Sequence, residues 1–88
     1  MTEYEILTSA IEKYGEKAQE EVAIEELSEL IQAICHKHRG REHNIAEEIA
    51  DVEIMLEQLK IINDCPNQVR VIKAEKLFRL KERVLNDG

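Results

Sequence analysis

The chain has 88 residues, enough for one domain, and carries a formal net charge of -7 at pH 7. This acidic balance argues against binding to nucleic acid or to an anionic membrane, since both would repel it. No apolar run approaches the roughly 20 residues of a membrane span, and the first residues are acidic where a secretory signal is basic. We therefore expect a cytoplasmic protein with no membrane partner.

The first half of the chain predicts two helices. Thr2 and Glu5 have the three-residue spacing of a capping box, which begins a first helix that continues to about residue 14. Gly15 is placed to end it, because glycine is favoured just after a helix C-terminus. A long second helix is expected over about residues 16 to 38, and Gly40 closes it.

The second half predicts two more helices. Asn44, with Glu47 three residues later, supplies the start of the third helix, and Asn63 with Asp64 ends it. Pro66 suits the first turn of a fourth helix. Apolar residues recur with helical period in both helices: Ile45, Ile49, Val52, Met55, Leu56, Leu59 and Ile62 in the third, and Val69, Ile72, Leu77, Leu80 and Val84 in the fourth. Because the connections are short, these elements predict an all-α four-helix bundle, a single domain over residues 1–88.

A chain of this size buries only part of its apolar surface by itself. We therefore expect the bundle to be completed by oligomerisation, as a dimer or a tetramer.

Two pairs of acidic residues have the spacing that puts both members on one side of a helix. Glu26 and Glu29 form one pair, and Glu48 and Asp51 form the other. Glu26 and Glu48 fall within the apolar stripes of their helices, so both are predicted to point inward. A buried carboxylate without a partner costs several kcal/mol, so it needs a cation, a proton or a basic partner. Mg²⁺, with Mn²⁺ as a substitute, prefers oxygen ligands of this kind.

The fourth helix has a lysine within its apolar stripe. Lys73 shares a side with Val69 and Leu80 and is predicted to face inward. Further basic residues flank it and form an edge that can hold phosphate oxygens: Lys76, Arg79 and Arg83. The alternative is that these side chains extend past the apolar surface or pair with neighbouring glutamates.

Other metal sites are disfavoured by spacing. His36, His38 and His43 lie near Cys35, but their spacing matches no standard zinc arrangement. A di-iron bundle requires Glu-x-x-His, which none of these histidines completes. Cys35 and Cys65 are expected to stay reduced.

The two acidic strings together resemble the signature of a known family. Glu25-Glu26-x-x-Glu29 is followed after eighteen residues by Glu48-x-x-Asp51, and Gln19 stands upstream. This pattern resembles the all-α nucleoside triphosphate pyrophosphohydrolases of the MazG-like group, which includes dimeric dUTPases. The resemblance covers about residues 14 to 83.

The resemblance implies roles for individual residues. It implies that Glu26, Glu29, Glu48 and Asp51 bind Mg²⁺, and that Glu25 supports the site or helps to activate water. Glu25 and Glu29 are accordingly the candidate catalytic residues. The residues expected to bind substrate are Gln19 and Tyr14 near the nucleobase, and Lys73, Lys76 and Arg79 at the phosphates. Leu77 departs from the family pattern, because it stands where an asparagine is expected.

The function implied is Mg²⁺-dependent hydrolysis of a nucleoside triphosphate to the monophosphate and pyrophosphate, which removes unwanted nucleotides from the pool. The rival interpretation is a non-catalytic acidic module for helical oligomerisation or protein interaction. In a third interpretation, the protein has this fold and binds the metal but does not catalyse a reaction. Titration with Mg²⁺ separates the first interpretation from the second.

Overall fold

The structure, a computed structural model, describes residues 1–86, so the last two residues of the predicted domain lie outside the described part. It consists of α1 (Glu3–Tyr14), α2 (Glu16–His38), α3 (Ile45–Ile62) and α4 (Pro66–Asn86). The prediction of four helices is confirmed, and the described residues form no strand. None of these helices is both long enough and apolar enough to cross a membrane.

Local hydrogen bonds explain where α1 begins and ends. Thr2 and Glu5 form the predicted capping box, in which each side chain accepts a hydrogen bond from the backbone N–H of the other. Gly15 has a φ of 92°, a conformation that favours glycine, and its N–H donates to the carbonyl of Ile11. A single residue therefore separates α1 from α2.

The C-termini of α2 and α3 share one motif. Gly40 has a φ of 70°, and Arg41 N–H donates to the carbonyl of His36 over 2.9 Å. After α3, Asp64 takes the equivalent left-handed position with a φ of 49°, and Cys65 N–H donates to the carbonyl of Lys60. Both ends are thus Schellman motifs, which satisfy carbonyls that the helix leaves free.

The third helix starts where the sequence predicts. Asn44 precedes the helix as expected, but its side chain makes no capping hydrogen bond. The amide instead donates to the carboxylate of Glu48, one turn into the helix. The predicted start of α3 at Asn44 is therefore confirmed, and the side-chain amide of this residue binds the Glu48 carboxylate.

The core lies between α2 and α3, with α1 packed across both. Its buried apolar residues are Leu7, Ala23, Ala33, Val52 and Met55. The fourth helix contacts only α3, and none of its 21 residues is buried. The prediction that Lys73 faces the interior is therefore wrong within the single chain.

Candidate metal centre

Three carboxylates converge where α2 packs against α3. Glu26 and Glu29 project from α2, and Glu48 projects from the first turn of α3. One oxygen from each carboxylate lies within 4.8 Å of those of the other two. The three-residue spacing brings the first two together on one helix, and helix packing brings the third.

Two of these carboxylates are shielded from water. Glu48 is only 7% exposed, Glu26 is half-buried and Glu29 is exposed. The Oε2 atoms of Glu26 and Glu48 are both buried and have no hydrogen-bond partner. The prediction that the apolar stripe turns Glu48 inward is confirmed, and the cluster opens to solvent at Glu29.

Asn44 fixes one side of the Glu48 carboxylate. Its Nδ2 donates a hydrogen bond of 2.8 Å to Glu48 Oε1 and leaves Oε2 directed at the other acids. The sequence interpretation missed this role because it assigned Asn44 to helix capping. The four-residue spacing from Asn44 to Glu48 was the available signal.

The surroundings of the cluster disfavour negative charge. Burial raises the pKa of Glu26, and repulsion by Glu29, Asp51 and Glu48 raises it further. Burial also raises the pKa of Glu48, against the opposing effect of the Asn44 hydrogen bond. Asp51 contributes to both shifts, so the fourth predicted ligand lies within electrostatic reach of the cluster.

No basic side chain pairs with these acids. Over residues 1–86 the structure has a single ion pair, which joins Lys60 to Glu57. Oxygen donors of high negative charge, two of them buried without a partner, are the ligand set that suits a hard divalent cation. The residues present therefore fit Mg²⁺ or Mn²⁺.

The structure does not bring the predicted basic residues to the cluster within one chain. Lys73 lines a shallow pocket together with Glu53 and Glu57 of α3. At about 100° per residue, these positions are on the side of α3 opposite Glu48. Lys76 and Arg79 lie further along α4 and are exposed.

The other predicted site residues lie at different depths. Glu25 is exposed and lies about 100° around α2 from Glu26, outside the converging group of three. Gln19 is buried, with 8% exposure, on the side of α2 that carries Glu26. Tyr14 is 58% exposed at the end of α1, and the Lys13 ammonium lies 5.4 Å from the centre of its ring.

Gln58 is a buried amide that the sequence interpretation did not identify. It is 4% exposed, and its Oε1 has no hydrogen-bond partner. Six residues join α2 to α3, and helices with so short a connection pack antiparallel. Gln58 and Gln19 therefore lie on the same side of the acid cluster, toward the N-terminus of α2. Glutamine at the edge of an apolar stripe gives no signal of its own, since it is common on exposed helix sides.

Cysteine and histidine form no comparable group. Cys35 and Cys65 are free, and in the described part of the chain only Glu26, Glu29 and Glu48 bring three possible metal ligands together. Comparison of the chain with protein-family models, with curated proteins and with solved structures finds no match.

Proposed function

We propose that the protein is a Mg²⁺-dependent nucleoside triphosphate pyrophosphohydrolase. The observation that carries this proposal is the convergence of Glu26, Glu29 and Glu48, with two buried oxygens that lack any partner. Such an arrangement is unfavourable when the acids are ionised and no cation is present, and a site of this kind serves reactions of polyanions. The choice of a triphosphate comes from the resemblance of the two acidic strings to the MazG-like signature.

The chain's own residues would perform three tasks at the metal. Glu26, Glu29, Glu48 and Asp51 would hold the metal, and Asn44 keeps the Glu48 carboxylate in its orientation. When bound, Mg²⁺ would supply positive charge for the phosphates and would make the attacking water more acidic. Glu25, exposed beside the cluster, or Glu29 at its open edge accepts the proton of the attacking water.

The reaction is a substitution at phosphorus. The water oxygen bonds to the α phosphorus while the bond from that phosphorus to the bridging oxygen breaks, and pyrophosphate leaves with the bonding electrons. Lysine or arginine near the β and γ phosphates stabilises this leaving group, a role that we assign to Lys73, Lys76 and Arg79.

We place the nucleobase on the side of Gln19, Gln58 and Tyr14. The two buried amides can exchange hydrogen bonds with a base edge, and Gln58 Oε1 is an acceptor without a partner. An exposed tyrosine ring offers a surface for stacking. The two free cysteines agree with a reducing cytoplasm, where such a substrate is found.

A non-catalytic interaction module remains the second proposal, and the exposed apolar residues of α4 favour it. The deciding experiment is a turnover screen of canonical and modified nucleoside triphosphates, with Mg²⁺ and with EDTA. We expect Mg²⁺-dependent release of pyrophosphate from at least one of them. A protein that binds Mg²⁺ but turns over none of them would contradict the enzymatic proposal, and one that does not bind Mg²⁺ would support the module.

A further inference from the structure

The connection between α2 and α3 is strongly basic, although the chain as a whole is acidic. The sequence has 19 acidic residues, yet none of them lies between Glu29 and Glu42. Lys37, Arg39 and Arg41 fall within this stretch, and we refer to these three residues as the basic turn. All three are exposed, and none forms an ion pair with another described residue. Their positive charge is therefore available to an anion.

Hydrogen bonds fix the backbone of the basic turn. Arg39 N–H donates to the carbonyls of Cys35 and His36, and Arg41 N–H donates to the carbonyl of His36 over 2.9 Å. Gly40 supplies the left-handed φ of 70° that this Schellman motif requires. The two arginine side chains thus start from fixed positions before any ligand binds, which reduces the entropy that binding costs.

The basic turn lies close to the acid cluster of Glu26, Glu29 and Glu48. Arg41 precedes by three residues the asparagine that holds the Glu48 carboxylate, so the Cα atoms of these two residues are at most about 11 Å apart. Lys37 is on the side of α2 that carries Glu26, three helical turns further on and about 16.5 Å along the axis. A polyphosphate and a long basic side chain together span such distances, so one ligand can contact both groups.

The first turn of α3 adds backbone donors beside the basic turn. Within the described part of the chain, the N–H groups of Ala46 and Glu47 have no hydrogen-bond acceptor. Asn44 does not cap them, because its side chain binds Glu48. Free N–H groups at the positive end of a helix are a binding site for phosphate. Arg41 stands just before this end, where a cation is unfavourable unless an anion neutralises it.

Glu48 links the acid cluster to the same end of α3. The residue is 7% exposed, and its Oε2 is buried without a partner one helical turn from Asn44. A divalent cation that satisfies this oxygen would still accept ligands from the open edge of the cluster at Glu29. A polyanion bound there can extend to the basic turn within the same chain, whereas α3 separates the cations of α4 from the cluster.

We propose that the basic turn binds the terminal phosphates of the substrate, with the N–H groups of Ala46 and Glu47 as further donors. The α phosphate then lies at the acid cluster, and the β and γ phosphates extend toward Lys37, Arg39 and Arg41. When the bond from the α phosphorus to the bridging oxygen breaks, pyrophosphate takes the bonding electrons, and the three cations stabilise its added negative charge. This inference rests on the proposed function for its ligand and deepens it, because it adds cations from the same chain as the acids.

A pair of arginine substitutions tests the proposal. Arg39→Gln with Arg41→Gln removes two charges at exposed positions, so the fold should be retained. The matched control, Arg70→Gln with Lys81→Gln, removes two charges from exposed positions of α4. Inorganic tripolyphosphate with Mg²⁺ is titrated calorimetrically into each protein. We expect at least about 10-fold weaker binding to the arginine double variant and less than about 2-fold change in the control. Mg²⁺ alone should bind all three proteins equally.

Mapping on the unaltered protein shows where the phosphate binds. Tripolyphosphate with Mg²⁺ is added to the ¹⁵N-labelled chain, and the chemical shifts of backbone and arginine N–H groups are followed by NMR. Sodium sulfate at equal ionic strength is the control for non-specific anion binding. We expect the largest changes over residues 39–47 and at the side chains of Arg39 and Arg41. Changes centred on residues 73–79, or equal changes with sulfate, would overturn the proposal.

The binding measurement separates this inference from the proposed function. If no nucleoside triphosphate is hydrolysed, but the arginine double variant loses affinity for tripolyphosphate, the phosphate site is supported and the enzymatic proposal fails. If a triphosphate is hydrolysed, but wild type and the double variant bind tripolyphosphate equally, the enzymatic proposal is supported and the basic turn has no part in it.

Discussion

Asn44 and Glu48 are joined by a 2.8 Å hydrogen bond that holds one carboxylate oxygen and leaves the other buried without a partner. The amide thus orients a proposed metal ligand and is not itself among the three converging groups. Residues that orient a ligand in this way typically contribute 10-fold to 100-fold to metal affinity.

Asn44→Ala should weaken Mg²⁺ binding by about 10-fold, because the Glu48 carboxylate loses the group that fixes its rotamer. Calorimetric titration of Mg²⁺ measures the change. Asn63→Ala is a matched control, since Asn63 donates its side-chain amide to the carbonyl of Leu59 at the far end of α3. Equal Mg²⁺ affinity in wild type and Asn44→Ala would show that this hydrogen bond has no part in metal binding.

Glu48→Gln should raise the stability of the metal-free protein and weaken its binding of Mg²⁺. The substitution keeps the shape of the side chain and removes one of several repelling charges, so the metal-free protein should have a higher Tm. The same change should weaken Mg²⁺ binding more than Asn44→Ala does and reduce turnover sharply. Thermal unfolding with EDTA and with Mg²⁺ measures both effects. Undiminished Mg²⁺ stabilisation of Glu48→Gln would remove this residue from the ligand set.

The metal-free protein should lose stability as pH rises through the range in which the cluster ionises. The pKa of Glu26 and the pKa of Glu48 are raised from 4.5, mainly by burial. Between that value and the raised pKa the folded state holds more protons than the unfolded state, so the free energy of unfolding falls with increasing pH. It becomes constant, for these two groups, above the raised pKa.

The Tm of Glu48→Gln minus the Tm of wild type, both measured in EDTA, cancels the contributions of the other titrating groups. The difference should grow from about pH 4.5 upward. Saturating Mg²⁺ should reverse its sign at neutral pH, since the ion stabilises the ionised wild-type cluster. A difference that is independent of pH would contradict the raised pKa of Glu48.

Gln58→Leu should make the protein more stable and its substrate binding weaker. Gln58 is buried with an unpartnered Oε1, and removal of such a group stabilises a protein by about 1 kcal/mol. If this amide meets the nucleobase, nucleotide affinity should fall while Mg²⁺ affinity stays constant. Urea unfolding and nucleotide titration measure the two effects, and Gln32→Leu, at an exposed position of α2, is the control.

Hydrolysis in ¹⁸O-labelled water identifies which phosphate bond breaks. Attack of water on the α phosphorus puts ¹⁸O from labelled water into the monophosphate, and pyrophosphate appears first without free phosphate. Mass spectrometry of the early products measures this distribution. Label in pyrophosphate, or diphosphate and orthophosphate as first products, would identify another kind of phosphohydrolase.

The parts of the structure that the sequence predicted are those governed by local chemistry. The capping box of Thr2 and Glu5 and the turn at Gly40 depend on neighbours within a few residues, so helix bounds could be predicted closely. Convergence of Glu26, Glu29 and Glu48 followed from three-residue spacing and the position of two acids within apolar stripes.

The parts that were not predicted depend on which partner a side chain meets or on distant packing. The position of Asn44 predicted the start of α3, but the interpretation did not recognise that its side chain donates to Glu48. For α4, periodicity identified an apolar side correctly, but it does not specify which surface covers that side. The sequence interpretation therefore assigned Lys73 to the interior, although no residue of α4 is buried within the single chain.

The exposure of α4 also makes the chain vulnerable when it is alone. A helix without buried residues and with contacts to a single neighbour opens at little cost in free energy, and its six basic residues are potential cleavage sites for trypsin-like proteases. An oligomer that covered α4 would protect this segment, and dilution below the dissociation constant of that oligomer would expose it again. Resistance to degradation would then decline with protein concentration, so the lifetime of the chain would depend on its amount.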